Sequence, residues 1–402
     1  MRLRSLFSLM AVAIVISATF SSLSAQDQEK KPVYQFTDDI RYAATPVENQ
    51  YRSSTCWSFS TISFLESELL RLGKGEYDLS EMYIVNNAYY DKAQKYVRWQ
   101  GNINFAAGGA FHDVVDIIKE KGIVPEEVYS GKVIGEVNHI HNEMDAVLKG
   151  YMDALIKNEN GKLSPVWDEG VQGILDAYLG KYPDKFTYKG KEYTPGSFSS
   201  SLGLNLDDYV EVSSYTHHPF YEQFVLEVPD NWMMGKIYNL TLDEMMQVID
   251  YSLEKGYTVG WGADVSEKGF SWKNGVAIVP AEKLEDITGT EREKWEKLSE
   301  DERKKQMYSF EEIVPEMNIT QEIRQQAFDN YQTTDDHGMH IVGTAHDQKG
   351  NKYYIVKNSW GTTGNDFKGY FYASRAYVAY KTIDLLVHKD GIPKEIRKKL
   401  GL

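Results

Sequence analysis

Cysteine is almost missing from these 402 residues: Cys56 is the only one. A chain with one thiol forms no internal disulfide, so its fold has to rest on a buried core. A surplus of cations is missing too. Lys and Arg number 44 against 59 Asp and Glu, for a net charge of -15. That argues against a nucleic-acid partner, because phosphate contacts need clustered Lys and Arg. No apolar run reaches membrane-spanning length; the best, Leu6 to Phe20, is too short for a stable span. No zinc-spaced cluster of Cys or carboxylates accompanies the histidine pairs His139/His141 and His217/His218, so no metal is expected. Internal repeats and low-complexity tracts are absent as well.

What remains is ordinary for a globular protein, 42% hydrophobic and 26% charged, with length for one large domain or two. The 28 tyrosines exceed what a core requires and suit a cleft or an interface. The start is informative. Met1-Arg-Leu-Arg is basic, the apolar stretch follows, and Ser21-Ser-Leu-Ser-Ala25 precedes a polar run. That order predicts a signal peptide over residues 1–25, a polar linker over 26–40, and export to a periplasmic or extracellular space. A lone thiol sent into an oxidising compartment has to be buried or used.

Helical periodicity runs from Cys56 to Leu72 through Phe59, Ile62, Leu65 and Leu69, and stops at Gly73. A second helix is expected from Leu79-Ser-Glu81 and a third from Phe111 to about Glu120, with the loop Ala106-Ala-Gly-Gly109 between them. Residues 138–310 read as helices and loops, with Ser197 to Gly203 as a loop and Ala281 to Lys305 as an exposed helix pair. Near the end the period changes. His340 to Ala345, Lys352 to Lys357 and Tyr370 to Ala373 read as strands. Helices first and strands last predict an α+β fold with a helical lobe and a sheet lobe.

Chemistry is carried by segments far apart in the chain. In Gln50-Tyr-Arg-Ser-Ser-Thr-Cys56-Trp-Ser-Phe the thiol opens a helix, where unpaired N–H groups favour the thiolate. Gln50 is near enough to offer a side-chain donor which, with the Cys56 N–H, would hold a tetrahedral oxyanion. Asp335-Asp-His337-Gly begins a strand and offers a base, with His340 and His346 close by as alternatives. Tyr354-Ile-Val-Lys-Asn358-Ser-Trp360-Gly ends a strand on an Asn able to orient that base, with an aromatic to cover the bond.

In this order, these pieces resemble the papain superfamily of cysteine peptidases. The 281 residues from Cys56 to His337 place the resemblance closest to bleomycin hydrolase and aminopeptidase C. Gly108-Gly-Ala-Phe-His-Asp, Gly260-Trp-Gly-Ala-Asp-Val265 and Val387-His-Lys-Asp-Gly-Ile-Pro393 match as flanks. The resemblance implies a two-lobed papain-like domain over residues 41–402, with a large helical insertion over roughly 136–310. It implies catalytic roles for Cys56, His337, Asn358 and Gln50, and a substrate cleft along Gly108, Gly109 and Trp360. It also implies peptide substrates, no cofactor, and possible assembly of several copies, a hexamer in relatives. A binding protein that keeps only the fold, or an acyl transferase using the same residues, are the rival readings. Two departures stand out. The loop from Gln50 to Cys56 has no glycine. The tail after Pro393 is short and basic, so it is expected not to fill the cleft, and strict aminopeptidase selectivity is expected to relax.

Overall fold

A computed structural model describes residues 33–402, and the signal peptide expected over residues 1–25 lies outside them. The chain enters as β1 (Phe36–Arg41), so the end of the expected polar linker is a strand. Three helices follow: α1 (Cys56–Arg71), α2 (Glu81–Arg98) and α3 (Phe111–Lys121). Next come α4 (Asn142–Ile156), α5 (Trp167–Leu179), the hairpin β2 (Phe186–Tyr188) and β3 (Lys191–Tyr193), and α6 (Pro195–Leu202). β4 (Tyr209–Ser213), β5 (Gln223–Val225), β6 (Lys236–Asn239), α7 (Leu242–Glu254), β7 (Val259–Ala263), β8 (Phe270–Ser271) and β9 (Val276–Ala277) continue it. Then α8 (Gly289–Trp295), α9 (Glu300–Met307) and α10 (Gln321–Asp329) lead to β10 (His337–Asp347) and β11 (Lys352–Lys357). The chain ends with β12 (Tyr370–Ser374), α11 (Arg375–Lys381), β13 (Thr382–His388) and α12 (Lys394–Leu400).

Eleven strands form one sheet in the order β5-β6-β4-β13-β7-β10-β11-β12-β9-β8, with β1 also on β10. The α+β class expected from the sequence is present. Residues 138–310, expected as helices and loops, also deliver β4 to β9 to that sheet. Ser197 to Gly203, read as a loop, lies largely in α6. Thr194 caps that helix by accepting from the Ser197 N–H, and Pro195 stands in its first turn, which together override a serine-rich composition.

α1 explains how the halves meet. Every residue from Trp57 to Leu69 is buried, because the helix lies between a helical core and the sheet. Phe64, Leu65 and Leu69 pack with α2 to α6 in one cluster, while Trp261, Met339 and Ile341 belong to a second that backs the sheet against α7 and α12. α12 is fastened there by buried Ile396 and Leu400 and by Lys399 on Glu244, 2.6 Å. None of its residues lines the cleft described next.

Candidate active site

A cleft of about 510 Å³ opens at the N-terminus of α1 and is lined by Gln50, Cys56, Trp57, Gly108, Gly109, His337 and Trp360, among others. All the site residues expected from the sequence line it except Asn358, which stands directly behind His337.

Cys56 is the first residue of α1, and Thr55 before it makes no side-chain cap. The Ser58 N–H is satisfied by the Thr55 carbonyl at 3.0 Å, and the Trp57 N–H faces the thiol. His337 opens β10, and the strand approaches the helix so closely that its next residue must be glycine. A Cβ on Gly338 would lie 2.7 Å from Ser60 Oγ and 3.4 Å from the Cys56 carbonyl carbon. Gly338 is therefore part of the site, although nothing in the motif around His337 marks it.

The ring nitrogen Nε2 of His337 lies 2.7 Å from Asn358 Oδ1. That oxygen also accepts from the Ser359 N–H at 2.8 Å, which settles which end of the amide faces the ring. Nε2 must then carry the hydrogen, leaving Nδ1 with its lone pair free. Trp360 stacks on the imidazole at 4.8 Å, with Trp272 and Phe270 edge-on behind it. This aromatic cover keeps water off the bond. Of the alternative histidines, His340 faces Ser63 Oγ at 2.9 Å, buried behind the site, and His346 pairs with Asp39 at the surface.

Gln50 is tied to the segment that carries Asn358. Its N–H donates to the Ser359 carbonyl at 2.9 Å, and its Oε1 accepts from Ser359 Oγ at 2.8 Å. With Oε1 occupied, Nε2 is the free donor on the cleft side. The glycine-free loop between Gln50 and Cys56 holds Tyr51 at φ 47° and Ser54 at φ 56°. These are left-handed conformations that glycine adopts freely and that cost other residues on the order of 1 kcal/mol each. The glycine-free loop thus stores strain in its backbone.

Gly109 is fixed by packing, since a Cβ there would meet the Trp57 ring at 2.8 Å; the Trp57 Nε1–H donates to Ala107 O at 2.9 Å. Gly108 makes room for a carboxylate: a Cβ would stand 1.9 Å from Asp230 Oδ2. Neither Asp230 nor Asp335, which also lines the cleft, was singled out by the sequence. Burial pushes the Cys56 thiol up to about 12; the Gly338 and Trp57 N–H groups oppose this, while Asp335 and Asp230 add to it. Burial takes His337 down to about 4 against the pull of Asn358.

Among the described residues one trio has converging metal-ligand atoms: His217, His218 and Glu227. Gln325 Oε1 accepts from the Thr216 N–H, so its Nε2 donates to His217 Nδ1 at 2.9 Å. The proton of His217 then sits on Nε2, facing Glu227 at 3.0 Å. That is a hydrogen bond from a neutral ring to a carboxylate, and it leaves no lone pair on Nε2 for a metal.

A thiol at a helix N-terminus, an Asn-oriented imidazole and a side-chain amide donor in one cleft define a cysteine-type peptidase site. The sequence profile of the Peptidase C1-like family matches residues 5–401, and the chain belongs to that family. It is 23% identical to aminopeptidase C of Lactococcus lactis subsp. cremoris, over 95% of this chain and 89% of that protein. It is 24% identical to aminopeptidase C of Listeria monocytogenes, over 88% and 82%. The fold is similar to that of PepW from Lactobacillus rhamnosis, with a TM-score of 0.66 at 20% identity over 91% of this chain and 84% of PepW.

Proposed function

We propose that the chain is an exported cysteine aminopeptidase that cleaves unblocked peptides through a thioester at Cys56. The observation that carries this is the 2.7 Å bond from His337 to Asn358, sealed by Trp360 beside the only thiol. Cys56 Sγ attacks the scissile carbonyl and its proton passes to His337 Nδ1. The oxyanion that forms is held by the Cys56 N–H and Gln50 Nε2. His337 returns the proton to the leaving amine, the C–N bond breaks, and an acyl-thioester remains. Water, deprotonated by His337, then releases the acid and restores the thiol.

The aminopeptidase part follows the similarity to aminopeptidase C, and export follows the basic start and apolar run. Assembly into a hexamer, as the resemblance implies, is readable by sedimentation. A fold kept only for binding is disfavoured because every piece of the triad is intact. Hydrolysis of a fluorogenic peptide amide, abolished by one equivalent of iodoacetamide, tests the proposal. A chain fully alkylated at Cys56 that still cleaves would overturn it.

A further inference from the structure

One rim of the cleft is a stretch of chain that no main-chain bond secures. From Ile103 to Gly109, between α2 and α3, no backbone N–H or carbonyl pairs with another backbone group among the described residues. Ala106 to Gly109 of this stretch line the cleft. Such a loop keeps one path only if side chains hold it. Phe105 is buried against Tyr89 and Tyr96, and Asn104 Nδ2 donates to Asp230 Oδ1 at 3.1 Å. The loop's own carbonyls are held by two residues. Trp57 Nε1–H donates to Ala107 O, and Lys92 Nζ donates to both Ala106 O and Gly108 O, each at 2.6 Å. Three successive carbonyls are thereby tied down, two of them by one ammonium.

Lys92 stands in α2 and is 2% exposed, yet no carboxylate among the described residues forms an ion pair with it. Asp113 on α3, Asp145 on α4 and Asp230 between β5 and β6 act on it from further off. Each is engaged elsewhere: Asp113 with the Ala110 N–H, Asp145 with the Tyr89 hydroxyl, Asp230 with Asn104. The rings of Tyr89 and Trp232 lie 5.4 Å from Nζ. Burial takes Lys92 down to about 8 against the pull of those three carboxylates. A buried ammonium without a carboxylate partner is costly, and an apolar residue would serve packing alone better. What the ammonium adds is a pair of charge-assisted bonds from one point to carbonyls two residues apart.

The peptide plane carries that anchor to the cleft. In a planar trans peptide the Gly109 N–H lies opposite the Gly108 carbonyl. With that oxygen fixed on a buried Nζ, the Gly109 N–H is turned away from the interior. Neither it nor the Gly109 carbonyl has a partner among the described residues, and Gly109 lines the cleft.

We propose that Lys92 is a positioning residue for the substrate: its ammonium latches the rim Ala106–Gly109 so that Gly109 presents its N–H to the peptide backbone. This rests on the peptidase reading and deepens it. The latch depends on charge. Loss of the proton leaves two ordinary hydrogen bonds in place of two charge-assisted ones, so the rim loosens as pH rises through about 8.

The test measures kcat and KM on one fluorogenic peptide amide, together with alkylation of Cys56 by iodoacetamide. Lys92→Met should raise KM roughly tenfold, as for a rim in its competent path about a tenth of the time. Its kcat and its alkylation rate should stay within about threefold of wild type. Deuterium uptake over residues 103–109 should rise in the variant while α1 stays protected. Wild-type KM should climb between about pH 7.5 and 9.5, whereas Lys92→Arg, which keeps its proton, should hold KM level. A folded Lys92→Met with unchanged KM, or with kcat and alkylation falling as steeply as KM rises, would overturn the latch. So would a wild-type KM that stays level across that pH range, a measurement that needs no variant to fold. If wild type cleaves no peptide the peptidase reading goes, and uptake over residues 103–109 still decides the latch: no gain in Lys92→Met overturns it.

Discussion

Gln50→Ala separates chemistry from fold. Gln50 is 7% exposed and held at both its N–H and its Oε1 by Ser359, so only Nε2 faces the cleft. Removing it deletes one of two donors to the oxyanion and leaves the His337–Asn358 bond untouched. One such donor is worth about 2.7–4 kcal/mol in a water-poor site, so kcat should fall ~10²- to 10³-fold with KM little changed. Iodoacetamide alkylation forms no oxyanion, and its rate at Cys56 should stay within a few-fold of wild type. Ser359→Ala removes only the hydroxyl that aims the amide, and should cost about 1 kcal/mol, roughly fivefold. Stopped-flow alkylation and steady-state cleavage of one fluorogenic peptide measure both quantities. A kcat loss under tenfold, or alkylation falling in parallel with cleavage, would refute the assignment of Gln50.

Cys56→Ala should lower peptidase activity by about 10⁴-fold or more with an unchanged melting curve; substantial residual turnover contradicts the thioester. Asn358→Ala frees the imidazole to rotate and should cost on the order of 10²-fold in kcat, with the thiol still present by titration. Burial pushes His139 down to about 3 and His141 to about 4. Their native form is neutral, so the stability they carry is complete above the unfolded value near 6.5 and drains as pH falls towards 4 and 3. A drop from 6.5 to about 4 corresponds to ~3 kcal/mol, so His141→Phe should raise Tm at pH 4.5 and change it little at pH 7.5. N-terminal sequencing of native protein should start near Gln26; material beginning at Met1 in the cytoplasm contradicts export.

The cleft was more legible in the sequence than the sheet around it. Cys56, His337 and Asn358 sit at the ends of regular elements, where a helix start or strand end is marked by local composition. Gln50 was readable because the amide needs only a short loop to reach the thiol. The strands between were not, because the cleft's own needs spoil their pattern. In β7, Val259-Gly-Trp-Gly-Ala263, Gly260 and Gly262 weaken the β signal, yet their missing side chains admit Leu386 and the Asp384 carboxylate. In β4, Tyr209-Val-Glu-Val-Ser213, a buried Glu211 breaks the alternation because it holds His112. Asp230, Asp335 and Asp384 carry no motif; only the folded sheet and loops bring them together.

β10 is hydrogen-bonded along both edges, to β11 on one side and to β7 then β1 on the other. Its amides can exchange with solvent only when several strands part together, which places it among the last segments to open. His337 is its first residue, paired to β7 alone, so the proposed base sits at the start of a slow-exchanging element. Breathing of the cleft during turnover must then arise at the opposing rim, in the loop Ala106–Gly109 and the segment bearing Asp230. Deuterium uptake should be fast there and slow along β10, and peptide entry should track the rim's exchange rate while the triad stays assembled.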